Sequence, residues 1–345
     1  MRIALTMDPE LPVPPRHYGG IERIVDMLAR GLVERGHDVT LFAHPESTSA
    51  GRLIAWPGRS SRSKGDSVRN ILTLARGVAS GGFDVLHSMS RLAYLLPLLP
   101  LRLPKLMTYH RHISHRSVRW GDALSSGSLW FSAVSRRMMR DVMHMGTWRL
   151  VFDGVPLSTY KFSADPGANA PLVFLGRIEE IKGPHLAIEI AHRTGMPLII
   201  AGNVPPEHRA FFDTKVKPHI DGKTITYIGP VDDREKNALL GSARAFLMPI
   251  LWEEPSGIVM PEAMACGTPV IGLSRGGVPE YVEHGVTGFV VDDVDGLVAS
   301  VGRIGEISRA ACRARVERLF SDQAVVKAYE AVYAEMIASA GARRA

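Results

Sequence analysis

Short apolar runs alternate along this chain with stretches whose apolar residues recur every three or four positions. RIALTM (2–7) leads into the helical pattern GGIERIVDMLARGLVERG (19–36), and DVTLFA (38–43) follows as a strand. DVLHS, KLMTYH, LWFSAV and WRLVFD continue the series to residue 153, with helical stretches between several of them. A second series begins at PLVFLGR (171–177) and runs through helix PHLAIEIAHRTG, strands PLIIAGN and TITYIG, helix REKNALLGSA and strand RAFLMPI. Strands joined by helical crossovers predict parallel sheets covered on both faces. The fold class expected is therefore α/β, with two Rossmann-like, doubly wound parallel-sheet domains. Residues 155–171, VPLSTYKFSADPGANAP, lack periodicity and are rich in Pro, Ser, Ala and Gly. The expected division is a first domain over 1–155, a linker over 156–170 and a second domain over 171–321. The last segment, 322–345, carries Val325, Val326, Tyr329, Val332, Tyr333 and Met336 at helical spacing.

Length supports the division, since 345 residues exceed the size at which one core usually stops growing. The chain is 46% hydrophobic and 22% charged, an ordinary globular balance. Its net charge of +6 is uneven: residues 1–160 carry +9 and residues 161–345 carry −3. A basic first half either meets an anionic partner or presents a solvated arginine-rich surface. Cys266 and Cys312 are too few for a disulfide framework, which suits a reducing cytoplasm, and Cys266 reads as a small buried hydrophobe in AMAC. The opening MRIALTMDPELPVPP has too short an apolar core for a secretory signal, and LAYLLPLLPLRLP (92–104) is too short to span a bilayer.

Candidate chemistry concentrates in the second half. Residues 253–262 read EEPSGIVMPE, followed by AMACGTPVIGL. Pro261 fits only a first helical turn, Gly267 fits a helix end, and VIGL reads as a buried strand. The helix is thus expected to begin near Gly257, with Glu254 in the loop ahead of it and Glu262 one turn inside. GRIEEIKG (176–183) places Arg177 and Lys182 beside a second helix start, an anion site by charge and dipole or an ordinary basic surface loop. YGGIERIV (18–25) puts Gly19 and Gly20 at a helix start but is not the G-x-G-x-x-G of dinucleotide folds. His110 ends a strand; with His112 and His115 it lacks the carboxylate or cysteine partners of a metal site.

The succession GG-x-E, strand-end His, GRIEEIKG, E-x7-E and GGVPEYVEHGVTGFVV resembles the retaining nucleotide-sugar glycosyltransferases of family 4, which have the GT-B fold. The resemblance spans about residues 1–335 and is densest over 249–291. It implies two domains facing across a cleft, with the terminal segment 322–345 crossing back onto the first. It further implies that Glu254 holds donor-sugar hydroxyls and Glu262 the ribose. Arg177 and Lys182 would neutralise the diphosphate, helped by backbone N–H groups of the Gly19–Gly20 and Gly257-Ile258-Val259 stretches. His110 would contact the donor sugar.

Four positions depart from the family pattern. Ser256 stands where Phe is usual, AGN (201–203) replaces Gly-Asp-Gly, Asp153-Gly154 replaces Asn-Gly, and Met89 stands where a second His is frequent. The expected activity is hexose transfer from a UDP- or GDP-linked donor to a sugar, lipid-linked or other hydroxyl acceptor, in polysaccharide, glycolipid or glycoconjugate synthesis. The alternatives are a non-catalytic nucleotide-sugar binder and an epimerase or phosphorylase of the same fold. No cofactor or metal is expected: Asp293-Val294-Asp295 follows TGFVV and reads as a helix cap rather than a metal-binding D-x-D. No nucleic-acid partner is expected. The expected place is the cytoplasm, with peripheral contact at the anionic inner membrane face through the cations of 52–76 and Trp56.

Overall fold

The computed structural model describes residues 1–15 and 19–342, so Tyr18 of the first glycine motif lies outside the described residues. The chain forms two compact units: Met1–Asp153 with the terminal segment from Asp322, and Gly154–Ser321.

Unit 1 holds seven parallel strands: β1 (Arg2–Thr6), β2 (Asp38–Ala43), β3 (Arg52–Ala55), β4 (Val85–Ser88), β5 (Lys105–Tyr109), β6 (Leu129–Ala133) and β7 (Thr147–Leu150). Their order is β3-β2-β1-β4-β5-β6-β7, so the winding reverses between β1 and β4. Central strands are buried along most of their length because both faces are covered; Ile3 lies between Val39 and Val85, all three buried. The crossovers β3–β4, β4–β5 and β5–β6 all run the same way across the sheet. Right-handedness puts their helices Lys64–Gly81, Leu92–Leu98 and His115–Ser125 on one face. Helix Gly20–Glu34, on the reverse crossover, lies on the other face and packs against the terminal helix Asp322–Ala342. The six apolar residues marked in that terminal helix are its buried ones.

One expectation about unit 1 is corrected. Trp56 is not part of a basic surface: its ring lies 5.6 Å from those of Phe42 and Tyr94, and its Nε1–H donates to the Met7 carbonyl at 2.8 Å. Strand β3, only four residues long and half-buried at the sheet edge, carries too little pattern to announce itself.

Unit 2 holds β8 (Leu172–Leu175), β9 (Leu198–Ala201), β10 (Ile225–Tyr227), β11 (Ala245–Met248), β12 (Val270–Leu273) and β13 (Gly288–Val291). All are parallel in the order β10-β9-β8-β11-β12-β13, with the reversal between β8 and β11. Residues 155–171 run along this unit. Tyr160 is buried, and Arg309 and Arg313 of helix Arg309–Leu319 bond the Ser163 and Tyr160 carbonyls at 2.7 and 2.8 Å. Cys266 and Cys312 are fully buried, and burial pushes both thiols up to about 12.

Candidate active site

In open α/β sheets, ligands bind beyond the carboxyl ends of the strands where the winding reverses. In unit 2 that point lies between β8 and β11, and the sequence motifs flank it. The loop after β8 carries Arg177 and Lys182; the loop after β11 carries Glu254. The two loops are locked together. Leu251 N–H donates to Ile181 O at 2.8 Å, and Gly183 lies against Pro249, whose carbonyl oxygen would be 2.0 Å from any Cβ at that position. Gly183 also has φ +76°, so a side chain there meets both strain and collision.

Lys182 Nζ and Glu254 Oε2 form a direct ion pair, and Trp252 Nε1–H donates to the same oxygen at 3.0 Å. The ammonium also lies 5.2 Å from the Trp252 ring centroid. Glu254 is thus held on one oxygen by a cation and an indole. Its backbone is pinned as well: Gly277 N–H donates to Glu254 O at 2.7 Å, and Gly276 N–H to Glu253 Oε2 at 3.1 Å. Arg177 pairs with buried Glu179 at 2.8 Å while a third of its side chain stays exposed.

The helix carrying Glu262 spans Val259–Ala265 and starts two residues later than its sequence pattern suggested. Gly257, at φ +68°, lies outside it, because a left-handed residue cannot begin a right-handed helix. Ile258 is the N-cap and Val259 the first helical residue, in the turn whose N–H groups lack intrahelical acceptors. Over seven residues the aligned dipole is short, so fewer aligned peptides add to the Arg177 and Lys182 charges. Glu262 is 3% exposed, and its Oε1 accepts from Tyr160 Oη and Lys236 Nζ, both at 2.6 Å. Glu254, in the loop, and Glu262, in the helix that follows, therefore have different partners. Tyr160 and Lys236 stand outside the sequence motifs, and Trp252 lies within 249–291 with nothing to mark it as a partner of Glu254; their roles arise from contacts across 102, 26 and 2 positions.

The remaining motif residues lie in unit 1, apart from Asp293 and Asp295. His110 follows β5 with its side chain 4% exposed; its Nε2 is 3.1 Å from Asp153 Oδ1 and its buried Nδ1 has no partner among the described residues. Asp153, one of the departures, is therefore the histidine's partner. Gly19 adopts φ +152°, and at Gly20, which opens the following helix, a Cβ would meet nothing within 4 Å. Met89 is buried after β4, and His87 beside it is a core residue. Asp293 caps helix Val294–Arg303 through Gly296 N–H at 2.8 Å, and Asp295 pairs with Arg193 at 2.7 Å. Among the described residues, no group of three or more His, Cys, Asp or Glu is placed to hold a metal ion.

Comparison with known proteins supplies the frame for this geometry. Residues 161–307 match the family model of glycosyl transferases group 1, and residues 18–147 match that of glycosyltransferase family 4. The chain is 26% identical to a phosphatidyl-myo-inositol mannosyltransferase of Propionibacterium freudenreichii, over 87% of its own length and 83% of the relative's. Its fold is similar to that of sucrose-phosphate synthase from Thermosynechococcus elongatus, with TM-score 0.80 at 21% identity over 98% of this chain and 99% of that one. It is also similar to the Anabaena protein HepE solved with UDP and glucose, with TM-score 0.74 at 18% identity over 97% and 100% of the two chains.

Proposed function

Because the chain belongs to the glycosyltransferases of the group 1 and family 4 type, with the GT-B fold, we propose that it moves a hexose from a UDP- or GDP-linked donor to a hydroxyl acceptor with retention at the anomeric carbon. The product would be a polysaccharide, glycolipid or other glycoconjugate. The Lys182–Glu254 pair at the point where the unit 2 sheet reverses carries this reading. A donor diphosphate competes for Lys182, and Glu254 is released to accept hydrogen bonds from sugar hydroxyls. Binding at the phosphate end thereby readies the sugar end. The HepE structure, which holds UDP, supports a nucleotide ligand for such a fold. The relatives named above lend no support to a non-catalytic binder or an epimerase.

The transition state has an oxocarbenium-like sugar and a departing diphosphate, so its stabilisation is electrostatic. Arg177, Lys182 and the N–H groups of Ile258 and Val259 face the growing phosphate charge. A preorganised donor of this kind is worth about 10²–10³ in kcat. His110, with Nε2–H donating to Asp153, presents Nδ1 as an acceptor for a sugar hydroxyl. No side chain is assigned as covalent nucleophile; the leaving phosphate takes the acceptor proton on the same face. With two protein cations at the phosphate, we further propose that no divalent metal is needed.

The test is release of UDP, GDP or ADP from the matching nucleotide sugars, with and without excess EDTA. Glu254→Gln is expected to keep nucleotide binding and lose most turnover, whereas Glu262→Ala weakens nucleotide binding. Parent-like binding and turnover in both variants defeats the site assignment. Loss of activity in EDTA with rescue by Mg²⁺ or Mn²⁺ defeats the metal-free reading.

A further inference from the structure

The unit 1 sheet has its own reversal, between β1 and β4, and the residues just beyond it form a second polar cluster. Asp8 follows β1. Its side chain is 7% exposed; Oδ2 accepts from Arg111 Nη2 at 3.0 Å, while buried Oδ1 has no partner among the described residues. Arg111 and His110 follow β5, and His110 offers the second buried, unpartnered atom, Nδ1. Glu22, in the first turn of helix Gly20–Glu34, is 8% exposed and lies within electrostatic reach of Asp8, Arg111 and His110. Burial pushes the carboxyls of both Asp8 and Glu22 above their ordinary range, with Arg111 opposing the rise in each.

A buried carboxylate oxygen without a donor has lost its water and gained nothing in return, so it calls for a ligand that supplies one. Both orphan atoms here are acceptors: Asp8 Oδ1 is one, and His110 Nδ1 is the other once Nε2–H is given to Asp153. With His110 Nδ1 already assigned to a hydroxyl of the donor sugar, the complement of Asp8 Oδ1 is a hydroxyl group of a second ligand. An anion is disfavoured, because two carboxylates face it against one partly exposed arginine. A metal is disfavoured too, since no ligand group of three assembles among the described residues.

We propose that Asp8, with Glu22 and Arg111 around it, is the hydroxyl-binding site for a sugar or polyol acceptor. Asp8 Oδ1 accepts the hydrogen bond of an acceptor hydroxyl, and Arg111 holds the carboxylate in the orientation that presents this oxygen. This rests on the glycosyltransferase reading, in which the motif residues of unit 2 are committed to the donor.

The experiment measures partition. UDP-glucose and GDP-mannose are supplied with a panel of methyl hexopyranosides and glycerol, and transfer product is compared with sugar released to water. The parent is expected to glycosylate at least one compound. Asp8→Asn is expected to lower the ratio of transfer to hydrolysis tenfold or more through a higher KM for the acceptor, and Glu22→Gln to lower it less. A ratio unchanged in Asp8→Asn, whatever the overall rate, overturns the proposal, because loss of fold or of donor binding depresses both products together. Hydrolysis by the parent with no transfer to any compound also overturns it. Absence of both transfer and hydrolysis with either donor in the parent brings down the donor reading instead, and the two failures are thereby told apart.

Discussion

Glu262 is the buried carboxylate whose surroundings matter most to the donor reading. With Tyr160 Oη and Lys236 Nζ both on Oε1, the group is held in one orientation, which in the donor reading leaves Oε2 for the ribose. Lys236 also lies 3.3 Å from Asp233, so two carboxylates steady it. Removing the lysine leaves a buried charge without its counter-ion, a loss on the order of 3–5 kcal/mol when a buried pair is broken. Removing only the Tyr160 hydroxyl costs about 1 kcal/mol. Lys236→Met is therefore expected to melt well below Tyr160→Phe, and to lose discrimination between UDP and 2′-deoxy-UDP in calorimetric titration. Equal melting temperatures with discrimination retained would show that Lys236 does not position Glu262. Neither partner was legible beforehand. Glu262 sits in a dense motif, but Tyr160 lies in a stretch whose Pro, Ser and Gly content argued for a linker, and Lys236 is one lysine in an ordinary amphipathic helix. Spacing announces side chains that share an element; it is silent on side chains that meet across the fold.

At the scale of elements, the terminal helix Asp322–Ala342 shows what periodicity does and does not reveal. Its buried stripe follows from its 3.6-residue pattern, but the polar lock beneath it does not. His87, in central strand β4, bonds Tyr333 Oη through Nδ1 at 2.6 Å and Thr108 Oγ1 through Nε2 at 2.7 Å, with the Tyr329 ring 4.8 Å away. Helix Gly20–Glu34 meets the terminal helix at Gly31, where a Cβ would come within 2.5 Å of Val326. Burial pulls the His87 imidazole down to about 3, so the folded protein keeps it neutral. The unfolded chain binds that proton near pH 6.5, hence stability falls as pH drops from about 6.5 towards 3 and is unaffected by this group above that window. The full effect is a few kcal/mol. His87→Gln, which keeps a donor and an acceptor without a titrating group, is expected to be less stable at pH 7.5 yet to lose less stability on going to pH 4.5. Parallel melting-temperature profiles for parent and variant would remove His87 as the acid-sensitive contact. The strands and the helix were readable because each is apolar on a regular period; the lock was not, because a histidine in a strand looks the same whether it faces solvent, substrate or a tyrosine.

For the molecule as a whole, the excess of positive charge in the first half gains meaning from where unit 1 exposes apolar side chains. Of thirteen large hydrophobic residues exposed among the described residues, six belong to one layer: Val68, Leu72, Leu96, Leu101, Trp120 and Leu124. That layer consists of helix Lys64–Gly81, turn Leu92–Leu98 with the loop after it, and helix His115–Ser125, all on the same face of the sheet. Within it, Val68 and Leu72 continue Lys64 and Arg76 at intervals of four, and Trp120 and Leu124 continue Arg116, so each helix sets an apolar pair beside exposed cations. Trp56 plays no part, being core. No helix of the described residues is long and apolar enough to cross a membrane, and a stripe of this kind instead suits one leaflet: cations among anionic headgroups, apolar side chains just below. We therefore propose peripheral contact with an anionic membrane through this layer. A cation near such a surface contributes ~1 kcal/mol, screened by salt, whereas the apolar contribution is not screened. Sedimentation with phosphatidylcholine vesicles containing a fifth phosphatidylglycerol is expected to carry the protein down at low salt and less so at high salt. Pure phosphatidylcholine is expected to leave it in the supernatant. Replacing Val68 and Leu72 by serine, or Trp120 and Leu124 by serine, is expected to reduce binding to the mixed vesicles at both salt concentrations. Binding that ignores lipid charge would remove the electrostatic half of this proposal. Binding that persists unaltered in both serine pairs would show that the exposed apolar layer faces something other than lipid.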